Sequence, residues 1–198
     1  MHAARNYPAS ERSVRVSTLT EVAIVLDPRA EDTGELRGNG SDVGPLQGKK
    51  IGLKTDEFWF AWDWVAEEWA AAFEADGAET VTWREPMPQG VRTPLSIAAF
   101  DEFTGSVDAV VTGLANCGSC TFVAIRAGMA ALERGFPTVF VATEHFERLS
   151  RVLTEEAGWA DIRMAILPYP LEGLPEAEIR QIARDAYPAL LQSMGAIR

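Results

Sequence analysis

The architecture of this chain follows from residues 108–121, which read Asp108-Ala109-Val110-Val111-Thr112-Gly113-Leu114-Ala115-Asn116-Cys117-Gly118-Ser119-Cys120-Thr121. Residues 108–112 form a short, apolar, β-branched run, which predicts a strand covered on both faces. Gly113 and Asn116 are residue types that commonly end such a strand, and the residues from Phe122 onwards are typical of a helix. The two cysteines of the chain therefore lie between a strand and a helix. Unpaired N–H groups and the helix dipole stabilise a thiolate at such a position.

Outward from this stretch, short apolar strands alternate with helices. The predicted strands are 51–54, 80–83, 108–112, 137–142 and 162–167, and the predicted helices are 57–75, 95–103, 122–134, 145–157 and 175–194. This alternation predicts an α/β three-layer sandwich with a five-stranded, mainly parallel sheet of flavodoxin-like or Rossmann-like topology. In such a sheet the ligand crevice lies at the carboxyl ends of the strands. Residues 1–48 are predicted to be a partly extended arm with a short strand at 22–26, and residues 49–198 a single domain.

The composition argues against several classes of protein. The 198 residues are 47% hydrophobic and 24% charged, which is ordinary for a soluble globular protein. A net charge of −11 argues against binding to nucleic acid or anionic membranes, because phosphate binding needs lysine and arginine. No apolar run approaches the roughly 20 residues of a membrane-spanning helix, and the amino terminus lacks the apolar core of a secretory signal. We therefore expect a cytoplasmic protein.

Cys117 and Cys120 form a Cys-x-x-Cys motif, which in a reducing compartment favours redox or nucleophilic chemistry over a structural role. One interpretation makes one cysteine a low-pKa thiolate and the other its resolving partner. The other interpretation is two small buried residues in a tight loop. Local chemistry leaves open which cysteine attacks, although the first cysteine of such motifs is generally the more exposed, which favours Cys117. A zinc site would need two further ligands, and only His2 and His145 are available beyond the carboxylates, so no metal is predicted.

A competing motif overlaps the second cysteine. Cys120 and Arg126 have the Cys-x5-Arg spacing of a phosphate-binding loop, which needs small residues so that its N–H groups can turn inward. The residues between them are apolar and β-branched and favour a helix, so we reject a phosphatase. No glycine-rich nucleotide-binding motif is present, and no cofactor is predicted beyond an external thiol or protein reductant.

The other strand ends supply further candidates. Glu144 and His145 are candidate proton-transfer groups, because histidine takes up a proton near neutral pH. The alternative for His145 is a solvent-facing residue at a helix start. Ser119 and Thr121 are expected to donate hydrogen bonds to developing charge, and Thr55 or Asp56 to cap the helix at 57–75. The predicted substrate-binding residues are Asn116, Ser119, Thr121, Asp56, Trp59 and Tyr169.

The predicted helix 57–75 is unusually rich in aromatic residues. These are Phe58, Trp59, Phe60, Trp62, Trp64, Trp69 and Phe73. They occupy nearly all faces of a helix and cannot all enter one core. Core packing would account for Phe73 and Trp69, with Trp62 as a third candidate. The remainder predicts an apolar pocket wall or an interface in a homo- or hetero-oligomer.

The Cys-Gly-Ser-Cys motif after a strand resembles the UGSC family, bacterial proteins named for a selenocysteine- or cysteine-Gly-Ser-Cys motif. Supporting segments are Val25-Leu26-Asp27-Pro28, Gly48-Lys49-Lys50-Ile51-Gly52-Leu53, Gly135-Phe136-Pro137-Thr138-Val139 and Pro168-Tyr169-Pro170-Leu171. The resemblance covers roughly residues 22–175. It implies that Cys117 takes the selenocysteine or attacking-cysteine position and Cys120 the resolving position. Selenium there suits redox or strong nucleophilic chemistry.

The chain departs from this family pattern at three strand ends. Asn116 stands where aspartate is common, and Tyr169-Pro170 where His-Pro is usual. The fourth strand ends in Ala142-Thr143-Glu144-His145 rather than in a Cys-Thr-Asp/Glu type of sequence. Either His145 substitutes for the missing groups or a partner subunit supplies them.

Together these features predict a thiol-dependent enzyme for a small, partly apolar molecule. Cys117 would attack as thiolate, Cys120 would resolve a covalent or mixed-disulfide intermediate, and Glu144 and His145 would move protons. Two alternatives stay open. One is a cofactor-independent, cysteine-based isomerase, lyase or hydrolase resembling the aspartate/glutamate racemase group. The other is a partner subunit of a hetero-oligomeric enzyme, with the aromatic helix as its interface.

Overall fold

A computed structural model describes residues 37–86 and 94–198, with Pro94 and Leu95 described by their backbone alone, and the backbone of two earlier strands. The chain divides into two compact units, Met1–Thr33 and Gly34–Arg198. In the first unit, β1 (Val14–Thr18) pairs antiparallel with β2 (Glu21–Val25), and β2 falls on the strand predicted at 22–26. The other predicted features of residues 1–36 lie outside the described residues.

The second unit contains all the remaining elements. In chain order they are β3 (Gly44–Pro45), β4 (Lys50–Thr55), α1 (Phe60–Ala75), β5 (Glu79–Arg84), α2 (Pro94–Gly105), β6 (Ala109–Ala115), α3 (Gly118–Glu133), β7 (Thr138–Thr143), α4 (Glu144–Glu156), β8 (Met164–Leu167), α5 (Glu176–Met194) and β9 (Ala196–Ile197). The unit begins at Gly34 instead of at the predicted residue 49, and both Val43 and Leu46 are buried in its core. None of the helices in the described ranges is long and apolar enough to span a membrane.

The main sheet confirms the predicted fold class. It has five strands in the order β5-β4-β6-β7-β8, and every neighbouring pair is parallel. This is the strand order of flavodoxin-like doubly wound sheets, and the direction of winding reverses between β4 and β6. The ligand crevice of such a sheet lies at the carboxyl ends of the strands beside that reversal. A second, two-stranded parallel pair of β3 with β9 was not predicted, because two residues show no periodicity.

The core lies on both faces of the main sheet. Every residue of β6 and β7 is buried, as expected for strands that are covered on both sides. Helices α1 and α5 pack on one face around the side chains Trp62, Trp69 and Leu190. Helices α2, α3 and α4 cover the other face, where Phe100 and Ile125 are among the buried residues. The strand ends are therefore left as the open edge of the sheet.

Packing within the chain accounts for most of the aromatic helix. Trp62, Trp69 and Phe73 are fully buried. The Trp62 Nε1–H donates to the carbonyl of Lys54 at 3.1 Å, and the Trp69 Nε1–H donates to the carbonyl of Ala183 at 2.8 Å. These three are the residues that core packing was expected to account for, and α5 and the sheet cover the side of the helix on which they lie.

The aromatic residues that remain exposed lie at the entry to α1. Phe58 and Phe60 are 44% and 69% exposed, whereas Trp59 and Trp64 pack partly against the core. These two phenylalanines are the part of the predicted pocket wall or oligomer interface that the packing leaves free. Both lie near the carboxyl end of β4.

Three element boundaries differ from the predictions by three or more residues, namely the starts of α1 and α3 and the end of β6. Helix α3 begins at Gly118 and not at residue 122. Helix α1 begins at Phe60 with Trp59 as its N-cap, so neither Thr55 nor Asp56 caps it. Strand β6 continues through Gly113 to Ala115 and does not stop at residue 112. A Cβ atom at Gly113 would lie 2.9 Å from Cζ2 of Trp62, so this glycine permits the close approach of a side chain rather than a turn.

Candidate functional site

The carboxyl ends of β6, β7 and β8 bring the predicted site residues to one edge of the sheet. Ala115 of β6 is paired with Ala142 of β7, and Thr143 is paired with Leu167 of β8. Asn116 and the cysteine turn follow β6, Glu144 and His145 follow β7, and Tyr169 follows β8. The strand registers thus place these three chain segments side by side.

The cysteine turn is the N-terminus of α3. Cys117 is the N-cap residue with an extended backbone, and its Sγ accepts the N–H of Cys120 at 3.1 Å. Cys117 is half-buried, whereas Cys120 is buried. The structure brings the two sulfurs within reach of each other, with their Cα atoms 5.2 Å apart, within the range that a disulfide bond requires. The turn thus brings both sulfurs together, with the more accessible sulfur at the position predicted to attack.

Local polar groups favour a negative charge on Cys117. Besides the Cys120 N–H, the hydroxyl of Ser119 lies 3.4 Å from Cys117 Sγ. When the pair is reduced, the helix dipole and a charge-assisted hydrogen bond act on the same sulfur. A thiolate at a helix N-terminus is the reactive form of cysteine.

Thr121 supports the turn rather than facing a substrate. Its side chain is fully buried, and its hydroxyl donates to the Cys117 carbonyl at 2.6 Å. Its backbone N–H donates to the same carbonyl at 2.9 Å. In this structure the Thr121 hydroxyl is therefore already committed, which differs from the expectation that it donates to developing charge on a substrate. Thr121 thus holds the Cys117 carbonyl through both its hydroxyl and its backbone N–H.

A buried hydrogen bond connects the cysteine turn to the start of α4. The hydroxyl of Thr143 donates to Oδ1 of Asn116 at 3.1 Å, and both side chains are buried. Glu144 and His145 follow Thr143 directly, so this bond links the chain segment that carries the thiols to the segment that carries the candidate proton-transfer residues. Thr143 was not among the predicted site residues, although its position at the end of a buried strand was a signal for such a role.

His145 and Tyr169 lie together on the outer side of this edge. Their rings stack with centroids 4.7 Å apart and an interplanar angle of 24°. Both residues are exposed, as is Glu144. No hydrogen bond among the described residues joins His145 or Glu144 to a cysteine sulfur, and their proton-transfer role stays a prediction. The stacked pair shows that the residues following β7 and β8 meet.

The neighbouring ends of β4 and β5 hold a buried ion pair that sequence reasoning missed. Lys54 is fully buried, and its Nζ lies 2.9 Å from Oε2 of the largely buried Glu85. Burial raises the pKa of Asp56, and this effect is opposed by the hydrogen bond from the Phe58 N–H and by the charge of Lys54. The sequence did contain a signal for this ion pair, namely a lysine within a predicted apolar strand. Lysine is almost never fully buried unless it is paired.

Residues 24–196 match the sequence model of the UGSC family. The chain belongs to the UGSC family. This result confirms the resemblance seen in the Cys-Gly-Ser-Cys motif and its surrounding segments. A search of curated proteins finds no match to this UGSC protein.

Among solved structures, two variants of a flavo di-iron protein from Thermotoga maritima are similar to this UGSC protein. They share 11% and 10% identity, with TM-scores of 0.45 and 0.44, over 73% of this chain and 37% and 36% of theirs. A periplasmic ribose ABC transporter from Conexibacter woesei DSM 14684 shares 14% identity over 78% of this chain and 54% of its own, with a TM-score of 0.39. The chain thus spans about a third to a half of these proteins, and the fold assignment rests on its own strand order.

Trp59 is the remaining predicted binding residue of this UGSC protein. It is half-buried, and its Nε1–H has no hydrogen-bond partner among the described residues. Asp56 accepts the Phe58 N–H at 2.9 Å, and Arg84 donates to the Asp56 carbonyl at 2.8 Å. These contacts hold the loop that carries Trp59. The loop follows β4, the strand next to β6, and no described contact joins Asp56 or Trp59 to the cysteines.

A narrow crevice opens between β5, α2 and α3 of the UGSC protein. It is lined by Trp83, Glu85, Ser96, Phe100, Val123, Arg126 and Ala127. Its lining residues on α3 belong to the same helix that begins at the cysteine turn. No group of three or more histidine, cysteine, aspartate and glutamate side chains that could hold a metal ion occurs in the described part of the chain.

Proposed function

We propose that this UGSC protein is a thiol-dependent enzyme that acts on a small, partly apolar molecule. The observation that carries the proposal is the environment of Cys117 Sγ, which accepts an N–H at the start of α3 and lies within disulfide reach of Cys120. One turn thus combines an activated nucleophile with a resolving thiol.

The proposed reaction is a two-electron reduction by the dithiol. The Cys117 thiolate attacks an electrophilic sulfur of the substrate, or a carbon whose carbanion a neighbouring carbonyl group stabilises, forms a covalent bond to it and expels the leaving group. Cys120, after losing its proton, attacks Cys117 Sγ, forms the disulfide and releases the reduced substrate with the electron pair. Glu144 and His145 supply and accept the protons, and an external thiol or protein reductant restores the dithiol.

Exposed aromatic side chains around the strand ends support an apolar component in the substrate. Phe58, Phe60, Phe122 and Tyr169 are all exposed there. Phe122 lies in the first turns of α3, close to the cysteines along the chain. Clusters of exposed aromatic residues around a polar centre are typical of sites for partly apolar ligands.

Alkylation of the reduced protein tests the proposal. We expect iodoacetamide to modify Cys117 faster than a model thiol at pH 6 to 7, because the thiolate is the form that reacts. Peptide mass spectrometry assigns the modified residue, and Cys120→Ser serves as the control that keeps Cys117. If neither cysteine reacts faster than the model thiol, the proposal is wrong.

Single substitutions in the cysteine turn distinguish a redox enzyme from a cysteine-based isomerase, lyase or hydrolase. A redox enzyme needs both sulfurs, so Cys117→Ser and Cys120→Ser each abolish turnover. An enzyme that uses a single cysteine as nucleophile or base tolerates the loss of Cys120. The short Cα separation of 5.2 Å favours the redox reaction, because it allows the disulfide to close without backbone movement.

A further inference from the structure

We propose that the start of α3 binds the carbonyl oxygen of the substrate, and that the substrate is an α-substituted ketone, with a leaving group on the carbon next to its carbonyl group. The backbone N–H groups of Gly118 and Ser119 and the side-chain amide of Asn116 hold this oxygen. As the substrate class of the thiol site, this inference rests on the proposed function. The three donors themselves are features of the fold.

The first turn of α3 has two backbone donors that the fold leaves free. The first four N–H groups of an α-helix have no partner within the helix. In α3 the N–H of Cys120 donates to Cys117 Sγ at 3.1 Å, and the N–H of Thr121 donates to the Cys117 carbonyl at 2.9 Å. The N–H groups of Gly118 and Ser119 donate to no acceptor among the described residues. Half of the donors of this turn are therefore available to a ligand.

The surroundings of these two donors are open. Gly118 and Ser119 are both exposed, and a Cβ atom added at Gly118 would meet nothing from other parts of the described chain within 4 Å. The sulfur of Cys117 accepts the next N–H of the same turn. A substrate atom that is bonded to this sulfur therefore lies beside the free donors.

The side chain of Asn116 is the observation that points to a ligand. Asn116 is only 7% exposed, and its Oδ1 accepts the hydroxyl of Thr143 at 3.1 Å. Its Nδ2 donates to no residue in the described ranges and is not fully enclosed by the protein. The amide thus keeps free N–H donors at the surface of the strand edge, directly before the cysteine turn. Polar groups that are almost buried normally have partners, so a free amide here favours a ligand that accepts its hydrogen bond.

The dithiol can reduce an α-substituted ketone in two steps. The Cys117 thiolate attacks the substituted carbon, a sulfur–carbon bond forms, and the substituent leaves with its electron pair. Cys120, after losing its proton, attacks Cys117 Sγ and forms the disulfide. The sulfur–carbon bond breaks, and its electron pair goes to the ketone as an enolate, whose carbon takes up a proton. The ketone is reduced by two electrons, the dithiol is oxidised, and an external thiol restores it.

The free donors match the charge that develops in the second step. The negative charge of an enolate lies largely on its oxygen, and fixed N–H donors at that oxygen lower the barrier to its formation. A substrate with an electrophilic sulfur expels a thiolate instead and has no such oxygen to bind. Among the substrates that the dithiol could reduce, the donors therefore favour the ketone.

Single-turnover reduction of 2-bromoacetophenone tests the inference. The reduced protein is freed of reductant and mixed with the probe. Mass spectrometry follows the adduct on Cys117, and chromatography follows the release of acetophenone. We expect the wild type to form the adduct and then to release acetophenone, and Cys120→Ser to keep the adduct. Benzyl bromide, which has no carbonyl group, should alkylate Cys117 and stay bound.

Gly118→Pro removes one donor at a position where the fold accepts proline. Gly118 is the first residue of α3, which is the preferred place for proline in a helix, and Cys117 before it has the extended backbone that proline requires. Gly118→Ala is the matched variant, because it keeps the N–H. We expect Gly118→Pro to release acetophenone from the adduct at least about tenfold more slowly than Gly118→Ala. Asn116→Asp keeps an oxygen for Thr143 but removes the amide donors, and should also slow the release.

The mixed disulfide formed with 2,2′-dithiodipyridine is the control for the attack by Cys120, because its resolution involves no carbonyl group. The inference is overturned if Gly118→Pro and Gly118→Ala differ no more in acetophenone release than in resolving this mixed disulfide. It is also overturned if the wild type releases no acetophenone, or if Asn116→Asp releases it at the wild-type rate.

The proposed function fails by a different result. Reaction of Cys117 with 2-bromoacetophenone and benzyl bromide no faster than that of a model thiol would refute the activated thiolate alone. The ketone adduct still forms on longer incubation, so the release rates of the variants are compared in that case too.

Discussion

At the scale of single residues, the buried ion pair between Lys54 and Glu85 is expected to contribute to the stability of the fold. We predict that Glu85→Gln destabilises the protein by about 3 kcal/mol, because it removes the carboxylate that pairs with the buried ammonium group of Lys54. Urea unfolding at pH 7 measures the effect. The matched control is Glu79→Gln at the other end of the same strand pair, where Glu79 pairs with Lys50 on the surface and where the expected cost is below about 1 kcal/mol. Equal costs for the two variants would contradict the prediction.

The pH dependence of stability should report on Asp56. Burial raises the pKa of this carboxyl above its ordinary value of 3.8, so the folded state binds the proton more tightly than the unfolded state. Its stabilising contribution is therefore complete at pH values below 3.8 and is lost as the pH rises through the folded-state pKa. We predict that Asp56→Asn is more stable relative to the wild type at pH 7 than at pH 3.5. Asparagine keeps the oxygen that accepts the Phe58 N–H.

Paired urea titrations of the wild type and Asp56→Asn at both pH values measure this difference. Comparing the two proteins at each pH cancels the titration of the other carboxylates. The prediction is wrong if the stability of Asp56→Asn relative to the wild type is the same at both pH values or is greater at pH 3.5. Burial would then not be the main influence on the pKa of this carboxyl.

The residues of the candidate site differ in how far the sequence predicts them. Cys117 and Cys120 were predictable, because their spacing and their place after a strand are local features. The Lys54–Glu85 pair and Thr143 were not, because their roles depend on which strands are neighbours in the sheet. Local chemistry thus identifies a nucleophile, whereas its supporting groups need the tertiary arrangement.

At the scale of elements, the N-terminus of α3 links stability to reactivity. Cys117 caps the helix through its sulfur, and a serine hydroxyl can accept the same Cys120 N–H. We predict that Cys117→Ala is less stable than Cys117→Ser by about 1 kcal/mol, the usual value of an N-cap bond. Urea unfolding of both variants measures this difference, and neither can form the disulfide. Equal stabilities of the two variants would mean that a side-chain acceptor at residue 117 does not stabilise the start of α3.

A second element-scale prediction concerns the hydroxyl that holds the Cys117 carbonyl. Thr121→Val keeps the shape of the buried side chain but removes its hydrogen bond, so we expect a loss of stability of about 1 kcal/mol. We also expect slower alkylation of Cys117 by iodoacetamide, because the turn becomes less rigid. Thr154→Val is the control, since the hydroxyl of Thr154 bonds within α4, away from the cysteines. If Thr121→Val alkylates at the wild-type rate, Thr121 does not position the thiol.

Element boundaries show where sequence patterns stop being sufficient. The alternation of apolar runs and turn residues located each helix and strand of the main sheet. It placed the start of α1 too early, because aromatic residues of helical spacing continue into the loop at Phe58. It ended β6 too early at Gly113, where the reason for a glycine is the ring of Trp62 from another element. Contacts between elements are absent from any local pattern.

At the scale of the whole molecule, the fold class was predictable but the edges of the folded unit were not. Repeated β-α alternation with short connections is enough to indicate a parallel sheet with helices on both faces. The segment before β4 is rich in glycine and acidic residues, yet Leu46 is fully buried. The N–H of Val43 bonds to the Met194 carbonyl at 3.0 Å, and the N–H of Leu46 bonds to the Ile197 carbonyl at 2.9 Å. Contacts with the far end of the chain, not local sequence, extend the unit.

These contacts predict how two shortened chains behave. A chain of residues 34–198 retains the main sheet and all of its buried clusters, which lie between Val43 and Met194. We expect it to unfold cooperatively in urea and to keep the wild-type alkylation rate at Cys117. A chain of residues 49–198 loses Leu46 and the pairing of β3 with β9. We expect it to be less stable by at least about 3 kcal/mol, since truncating a buried leucine alone costs about 2–5 kcal/mol. Equal stability of the two chains would place the edge of the folded unit at residue 49.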